Sequence, residues 1–98
     1  MKIIALEVPV VPEADFSKFA PLLKPESQRV WDLIQSGELR EIYRRTDDKG
    51  HVLIFECASV EEAKALVDSL PLVREKLIAF DLIPLGAYPG LARLFAES

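Results

Sequence analysis

The sequence predicts an α+β domain whose elements follow the order β-α-β-β-α-β. Two strand-like runs flank a tight polar turn between Leu39 and Cys57, a helix with its own capping signal starts near Ser59, and another strand ends near Leu85. A strand and a helix precede this stretch. Because only two helices back four short strands, one face of the sheet is expected to lie uncovered and to need a partner.

The first 37 residues are predicted to form one strand and one main helix, with prolines in the segment that connects them. Residues 2–10 are rich in Ile and Val and end at a bend, as a strand does before a connection. Residues 13–23 have helical spacing but contain Pro21, so we expect a helical turn or two and then a break. Pro25 suits the first position of the helix that follows, since its missing N–H has no partner there, and Gly37 is a suitable stop. The apolar stripe of this helix consists of Val30, Trp31, Leu33 and Ile34.

The middle of the chain predicts a hairpin. Residues 39–46 and 51–57 are the second and third strands, and Asp47-Asp48-Lys49-Gly50 between them is typical of a turn. Next, Ser59-Val60-Glu61-Glu62 fits a capping box, in which the Ser hydroxyl and the Glu carboxylate reciprocally satisfy free N–H groups at a helix start. This helix is expected to close at Pro71.

Length and composition limit the classes of function. The chain has 98 residues, a one-domain length, with a net charge of −4 and a pI near 5.0, which disfavour nucleic-acid binding. The apolar run at the N-terminus is too short for an export signal or a membrane span. A single cysteine, Cys57, cannot form an intrachain disulfide. We therefore expect a cytoplasmic protein with neither a nucleic-acid partner nor a membrane partner.

The strand order, the hairpin and Ser69-Leu70-Pro71-Leu72 before the last strand resemble the dimeric α+β barrel superfamily. Within it the chain is similar to the muconolactone isomerase-like family, with YCII-related domains as a second resemblance. The similar segments are Leu39-Arg40-Glu41-Ile42-Tyr43-Arg44, Val52 to Ser59, and Leu70-Pro71-Leu72.

The resemblance implies a ferredoxin-like α+β sandwich with a four-stranded antiparallel sheet, which assembles as a dimeric α+β barrel. Residues 1–86 would form the domain, and residues 87–98 a C-terminal arm that packs on a neighbouring subunit of a homodimer or larger homo-oligomer. The implied function is that of a cofactor-independent isomerase that moves a proton on a small carboxylic acid or lactone. The alternative is a non-catalytic module for small-molecule binding or oligomerisation.

Period-2 alternation assigns the faces of the strands. The more apolar face of the third strand is expected to pack on the helices, together with the alternate apolar residues of the last strand. These inward residues are Leu53, Phe55, Cys57, Ile78, Phe80 and Leu82.

The opposite face is predicted to carry a mixed-charge cavity, with Ile42 and Ile54 between the charged groups. A carboxylate there would act as a base and an arginine would bind a substrate carboxylate. The candidate residues are Glu56, Asp81 and His51 for catalysis, and Glu7, Arg40, Arg44 and Tyr43 for substrate binding. Solvated cross-strand ion pairs are the alternative, and a one-residue shift of the second strand would exchange Arg40 and Arg44 for Glu41, Tyr43 and Arg45.

His51 is the only histidine, the side-chain type that changes charge nearest to neutral pH. It lies either at an ordinary surface position or at the mouth of the cavity. One His and one Cys do not make a ligand set, so no metal is expected, and the proposed chemistry needs no cofactor.

Overall fold

A computed structural model describes residues 1–12 and 15–96. The element order contains the expected β-α-β-β-α-β pattern, with additional short helical segments before the first long helix, before the last strand and after that strand. The elements are β1 (Lys2–Pro9), α1 (Phe16–Phe19), a 3₁₀ turn (Ala20–Leu22), α2 (Leu23–Ser36), β2 (Leu39–Arg44), β3 (His51–Glu56), α3 (Val60–Asp68), α4 (Pro71–Arg74), β4 (Ile78–Pro84) and a C-terminal 3₁₀ helix (Pro89–Leu94). Residues 13 and 14 of the predicted first helical segment, and residues 97 and 98 of the predicted arm, lie outside the described residues.

The four strands form one antiparallel sheet in the order β2-β3-β1-β4. β1 is central, with Ala5 opposite Leu53 on β3 and opposite Leu82 on β4. This topology confirms the predicted ferredoxin-like α+β sandwich. It also places the end of β1 beside the start of β3 and the start of β4.

The core lies between the helices and one face of the sheet. Its largest fully buried side chains come from three strands, from α2 and from the connection between α3 and α4, and are Phe55, Ile3, Leu33, Leu39, Leu53 and Leu70. Leu53, Phe55 and Ile78 are therefore inward, as alternation predicts. Trp31 was expected in the apolar stripe of α2, but it is 56% exposed, and Leu33 is the buried residue of that helix.

Most helix ends follow the predicted signals. Gly37 ends α2 with a left-handed φ of 85°, and its N–H donates to the Ile34 carbonyl. At α3 the Glu62 N–H donates to Ser59 Oγ (3.1 Å), while the Glu62 carboxylate accepts from the Ala58 N–H (2.8 Å). The capping box is thus confirmed, with its return bond one residue earlier than the usual N-cap position.

Both proline predictions need correction. α2 begins at Leu23, so Pro25 lies within its first turn and not at its first position. Pro71 does not close an element but begins α4, where a proline is tolerated because the first N–H of a helix has no intrahelical partner.

A one-residue bulge in β2 sets the faces of that strand. Leu39 pairs with Phe55 and Glu41 with Ile54, so Arg40 has no counterpart on β3. After such a bulge the alternation is reversed relative to a regular strand. Ile42 consequently faces the helices, although a strand without the bulge would turn it outward.

The other sheet face lies uncovered in the single chain. Ile4, Leu6, Val52 and Ile54 are only partly buried there. The arm beyond Leu85 adds further exposed apolar side chains. The radius of gyration is 16.4 Å, with extents of 61 × 29 × 21 Å, whereas a compact chain of this length has a radius of gyration of about 13 Å.

Among the described residues, none of the helices has the length and apolar character needed to cross a bilayer.

Candidate functional site

A cavity of about 550 Å³ lies between the helices and the inward face of the sheet, at the end where β1 finishes and β3 and β4 begin. Its polar lining consists of Glu7, Glu26, Ser27 and His51. The rest of the wall is apolar, and consists of Phe19, Leu23, Val30, Ile42, Leu53, Leu70, Leu72, Ile78 and Phe80. A largely apolar concave site with a few convergent polar groups is the usual form of a small-molecule pocket.

The central polar feature of this cavity is the pair formed by Glu7 and His51. The sheet register sets Leu6 opposite Val52, so the next residues along each strand, Glu7 and His51, are neighbours on the inward face. His51 Nδ1 lies 2.8 Å from Glu7 Oε1. The Glu7 side chain is 16% exposed and the His51 side chain 48%, so the carboxylate is sheltered while the imidazole reaches solvent.

The hydrogen bond assigns the tautomer of His51. An ionised carboxylate only accepts hydrogen bonds, so Nδ1 must carry the proton that it shares with Glu7. In the neutral ring Nε2 then holds the lone pair. A carboxylate that orients an imidazole in this way prepares it to act as a base.

Glu26 is a second carboxylate in the cavity wall, supplied by α2. The backbone N–H of Leu72, at the start of α4, donates to Glu26 Oε1 (2.9 Å). Burial raises the pKa of Glu26, and the charge of Glu7 raises it further, whereas the Leu72 hydrogen bond and His51 act in the opposite direction. Glu26 thus caps α4 and places a second carboxyl group in the cavity wall.

Gly50 holds the Glu7 carboxylate in place from the side of the β2–β3 turn. A Cβ at position 50 would lie 2.9 Å from Glu7 Oε2. The backbone of Gly50 has a φ of 113°, and its carbonyl accepts a hydrogen bond from the Arg45 N–H (2.8 Å). Only a residue without a side chain fits both the conformation and the close approach.

The predicted catalytic residues are divided between the two faces of the sheet. His51 lines the inward cavity, but Glu56 and Asp81 face outward, on the uncovered side. Glu56 Oε1 lies 3.3 Å from the N-terminal amine of Met1. The predicted single cavity, with Glu7 beside Glu56 and Asp81, is therefore wrong: Glu7 shares its face with the buried Ile3 and with His51.

The predicted substrate-binding residues of β2 are likewise separated. Arg40 sits in the bulge, where its Nε donates to the Gly37 carbonyl. Arg44 follows Ile42 on the inward face, but it projects towards the turn and pairs with Asp48 at 3.2 Å. Among the described residues that line the cavity beside His51 there is no arginine.

Tyr43 faces outward and is 56% exposed. Its hydroxyl donates to Glu41 Oε1 (2.7 Å), and this hydrogen bond raises the pKa of the phenol. Tyr43 therefore lies on the same side of the sheet as Glu56 and Asp81, across the sheet from the cavity.

Sequence reasoning missed Glu26. The sequence feature that could have pointed to Glu26 is the start of α4, because neither Leu70 nor Pro71 has a side chain that can cap a helix. The N–H of Leu72 therefore needs an acceptor from elsewhere, but the sequence does not say which residue supplies it.

Two other chemistries receive no support from the described residues. Burial raises the pKa of the Cys57 thiol, which disfavours the thiolate that a nucleophile needs. Within residues 1–12 and 15–96, no group of three His, Cys, Asp or Glu side chains is placed to hold a metal ion.

Comparisons with known proteins agree with this fold. A family model described as muconolactone delta-isomerase matches residues 3–90. The chain is similar to a crystal structure of muconolactone isomerase, with 21% identity, a TM-score of 0.74, and coverage of 91% of this chain and 92% of that chain. It is also similar to 5-chloro-2-hydroxyhydroquinone dehydrochlorinase from Burkholderia phenoliruptrix AC1100, in complex with 2,5-dihydroxybenzoquinone, with 17% identity, a TM-score of 0.61, and coverage of 92% of this chain and 98% of that chain. A comparison with curated protein sequences gave no significant match.

Proposed function

The chain belongs to the muconolactone delta-isomerase family, and on this premise we propose that it is a cofactor-independent enzyme that moves a proton on a small carboxylic acid or lactone. The likeness to two small-molecule enzymes supports a role in small-molecule chemistry. The substrate itself is part of the proposal.

One observation carries the proposal: the 2.8 Å contact between His51 Nδ1 and Glu7 Oε1 in the wall of a mostly apolar cavity. His51 has the role of general base and acid, with Nε2 as the atom that exchanges the proton. Glu7 orients the ring and stabilises its positive charge once it has taken a proton. These roles differ from the prediction that Glu7 binds substrate.

The reaction requires no net consumption of protons. His51 removes a proton from a carbon next to the substrate carbonyl, the double bond of the ring moves by one position, and the same imidazole returns the proton at the other end of the system. The apolar wall keeps water away from the intermediate, which prevents hydrolysis and strengthens the interaction between Glu7 and the imidazolium.

The test is proton exchange on unsaturated five-membered lactones, with and without a carboxymethyl group, in deuterated buffer followed by NMR. We expect exchange or isomerisation in the wild type, and a loss of roughly 10²–10⁴-fold in His51→Gln, the usual contribution of a general base. Glu7→Gln should lose activity as well, because the amide can donate to Nδ1 and so favour the wrong tautomer.

Variants of the outward carboxylates decide between the two faces of the sheet. Glu56→Gln and Asp81→Asn should keep the wild-type rate if the inward cavity is the site. Normal rates in His51→Gln and Glu7→Gln, with activity lost in the outward variants, would overturn the proposal and return the site to the uncovered face.

A non-catalytic binding module is the second candidate, favoured by the extent of the apolar wall, which can hold a ring without any chemistry. In that case lactones would raise the melting temperature by binding only to the folded state, but no deuterium would enter them.

We also propose that the chain forms a homodimer or larger homo-oligomer through its uncovered sheet face, with residues 87–98 as an arm on a neighbouring subunit. The partly buried Leu6 and Ile54 on that face and the exposed Leu94 and Phe95 of the arm support this assembly. A reducing, cytoplasmic location belongs to the same proposal, since the single Cys57 offers no intrachain disulfide.

A further inference from the structure

We infer that Arg29 and Arg74 form a binding site for a phosphate group around Ser69, on the helical layer of the protein. The site is independent of the proposed function, because none of these three residues lines the cavity beside His51. Arg29 belongs to α2, Ser69 is the C-cap of α3, and Arg74 is the last residue of α4. Three different helices thus bring two guanidinium groups to one serine.

Hydrogen bonds to Ser69 hold both guanidinium groups in place. Arg29 Nε donates to Ser69 Oγ (2.9 Å), and Arg74 Nη2 donates to the Ser69 carbonyl oxygen (3.2 Å). The serine hydroxyl in turn donates to the Leu66 carbonyl oxygen (2.6 Å). Each guanidinium has further side-chain N–H groups, and none of these donates to a residue that the structure describes. These donors can therefore bind a ligand while both arginines keep their contacts with Ser69.

Neither arginine pairs with a carboxylate among the residues that the structure describes. Asp32 lies one turn after Arg29 on α2, but its carboxylate accepts a hydrogen bond from Gln28 (3.0 Å). The C-terminal end of α3 supplies partial negative charge, equivalent to about half an elementary charge. Two full positive charges exceed what this helix end compensates, and an anion would balance the surplus.

A phosphate group matches this surplus better than a carboxylate does. It carries a charge of about −1.5 to −2 at neutral pH and has three strong acceptor oxygens, whereas a carboxylate carries a single charge. The planar guanidinium group binds phosphate oxygens through two parallel hydrogen bonds. Arg29 and Ser69 are partly buried and Arg74 is exposed, so a ligand reaches the site from solvent. Once bound, it would join α2 to the connection between α3 and α4.

Titration with inorganic phosphate and with ethyl phosphate tests the site, at neutral pH and at an ionic strength kept constant with sodium chloride. NMR of the isotope-labelled protein follows the amide signals of Ser69 and Leu70. We expect saturable shifts of these signals with at least one ligand, and the tighter of the two shows whether free phosphate or a phosphate ester is the better occupant. Absence of saturable shifts with both ligands would overturn the inference.

Variants connect the binding to the two arginines. Arg74→Gln removes one guanidinium from an exposed position and should weaken phosphate binding by about tenfold or more, the usual effect of losing a hydrogen bond between charged groups. Arg29→Gln should weaken it similarly. Because Arg29 is partly buried, Arg74→Gln keeps the test valid if Arg29→Gln does not fold.

Arg40→Gln is the matched control. It removes the same charge from an exposed arginine whose Nε also donates to a backbone carbonyl, that of Gly37, but which lies in β2 and not beside Ser69. Phosphate binding should therefore keep its wild-type affinity in this variant. Wild-type affinity in Arg74→Gln, or an equal loss in Arg40→Gln, would show that phosphate responds only to net charge and would overturn the site.

Discussion

Gly50 lies directly against Glu7, so that a Cβ at position 50 would approach Oε2 to 2.9 Å and Cβ to 3.0 Å. The turn between β2 and β3 therefore does more than reverse the chain. It forms one side of the slot that holds the Glu7 carboxylate, while His51, the first residue after the turn, holds the other side. A short hairpin thus positions both His51 and the carboxylate that pairs with it.

Substitution of Gly50 by alanine should be costly for this reason. The variant is strained at φ 113° and must also displace Glu7, so we expect a loss of about 2–3 kcal/mol in the free energy of unfolding. Gly37→Ala is the matched control, because Gly37 also has a positive φ (85°) but a Cβ there meets nothing within 4 Å. Its strain alone should cost about 1 kcal/mol.

Urea unfolding of the two variants measures these costs, and the NMR shifts of the His51 ring report whether Glu7 has moved. An equal loss in both variants, with an unchanged His51 ring, would show that Glu7 tolerates a methyl group at position 50.

The element order could be predicted from sequence because each signal is local. The capping box at Ser59, the stop at Gly37 and the turn before His51 all act within a few residues of their own position, and all three are confirmed. The inward faces of β3 and β4 follow from alternation for the same reason.

The site predicted from the sequence differs from the arrangement in the structure for two reasons, the bulge in β2 and the placement of Glu7. Arg40 adds an extra residue to β2, and that reverses the faces of Ile42 and Arg44 relative to a regular strand. Glu7 was expected to join Asp81 on the open face, yet alternation with Ile3 places it inward, next to His51. Alternation places Glu7 with Ile3 and His51 with Leu53 on the inward face, and the register of β1 against β3 then makes Glu7 and His51 neighbours.

Glu26 is expected to make stability depend on pH. Its pKa is raised in the folded protein above the ordinary 4.5, mainly by burial, with Glu7 raising it and the Leu72 N–H and His51 lowering it. The folded state therefore holds the Glu26 proton more tightly than the unfolded state does. The stabilisation is complete below pH 4.5 and is lost as the pH rises through the raised pKa.

Glu26→Gln removes this titration and keeps an acceptor for Leu72. The variant should gain stability relative to the wild type as the pH rises from 4 to 7, as measured by urea unfolding at both values. Ser27→Ala, at a neighbouring position without a titrating group, should shift stability equally at both pH values. A difference between Glu26→Gln and wild type that is constant with pH would contradict the prediction.

The uncovered sheet face should carry the subunit interface. Ile54 lies at its centre, opposite Ile4 on β1 and Glu41 on β2. Ile54→Lys places a charge in the proposed interface but gives the lysine a carboxylate across the strand, so the single chain should stay folded while the dimer dissociates.

Sedimentation velocity at micromolar concentration measures this change, and circular dichroism reports the fold. Gln35→Lys adds the same charge on the exposed side of α2 and should leave the assembly intact. A wild-type particle of 11.0 kDa under these conditions would remove the interface from the proposal.

The C-terminal arm should contribute to assembly and not to the stability of its own domain. Leu94 is 76% exposed and Phe95 85% exposed in the single chain, so replacing both by serine removes little packing within it. If they bury against a second copy, their loss should weaken association by about 3 kcal/mol or more, at the 1.5–3 kcal/mol typical of one large apolar side chain. That corresponds to a factor of roughly 100 in the dissociation constant, measured by sedimentation equilibrium over a dilution series. As a control, Arg93→Gln changes a polar residue of the same 3₁₀ helix and should have little effect on the dissociation constant. A contradicting result would be unchanged association of the Leu94→Ser, Phe95→Ser double variant together with a lower melting temperature. That result would place both side chains against their own subunit.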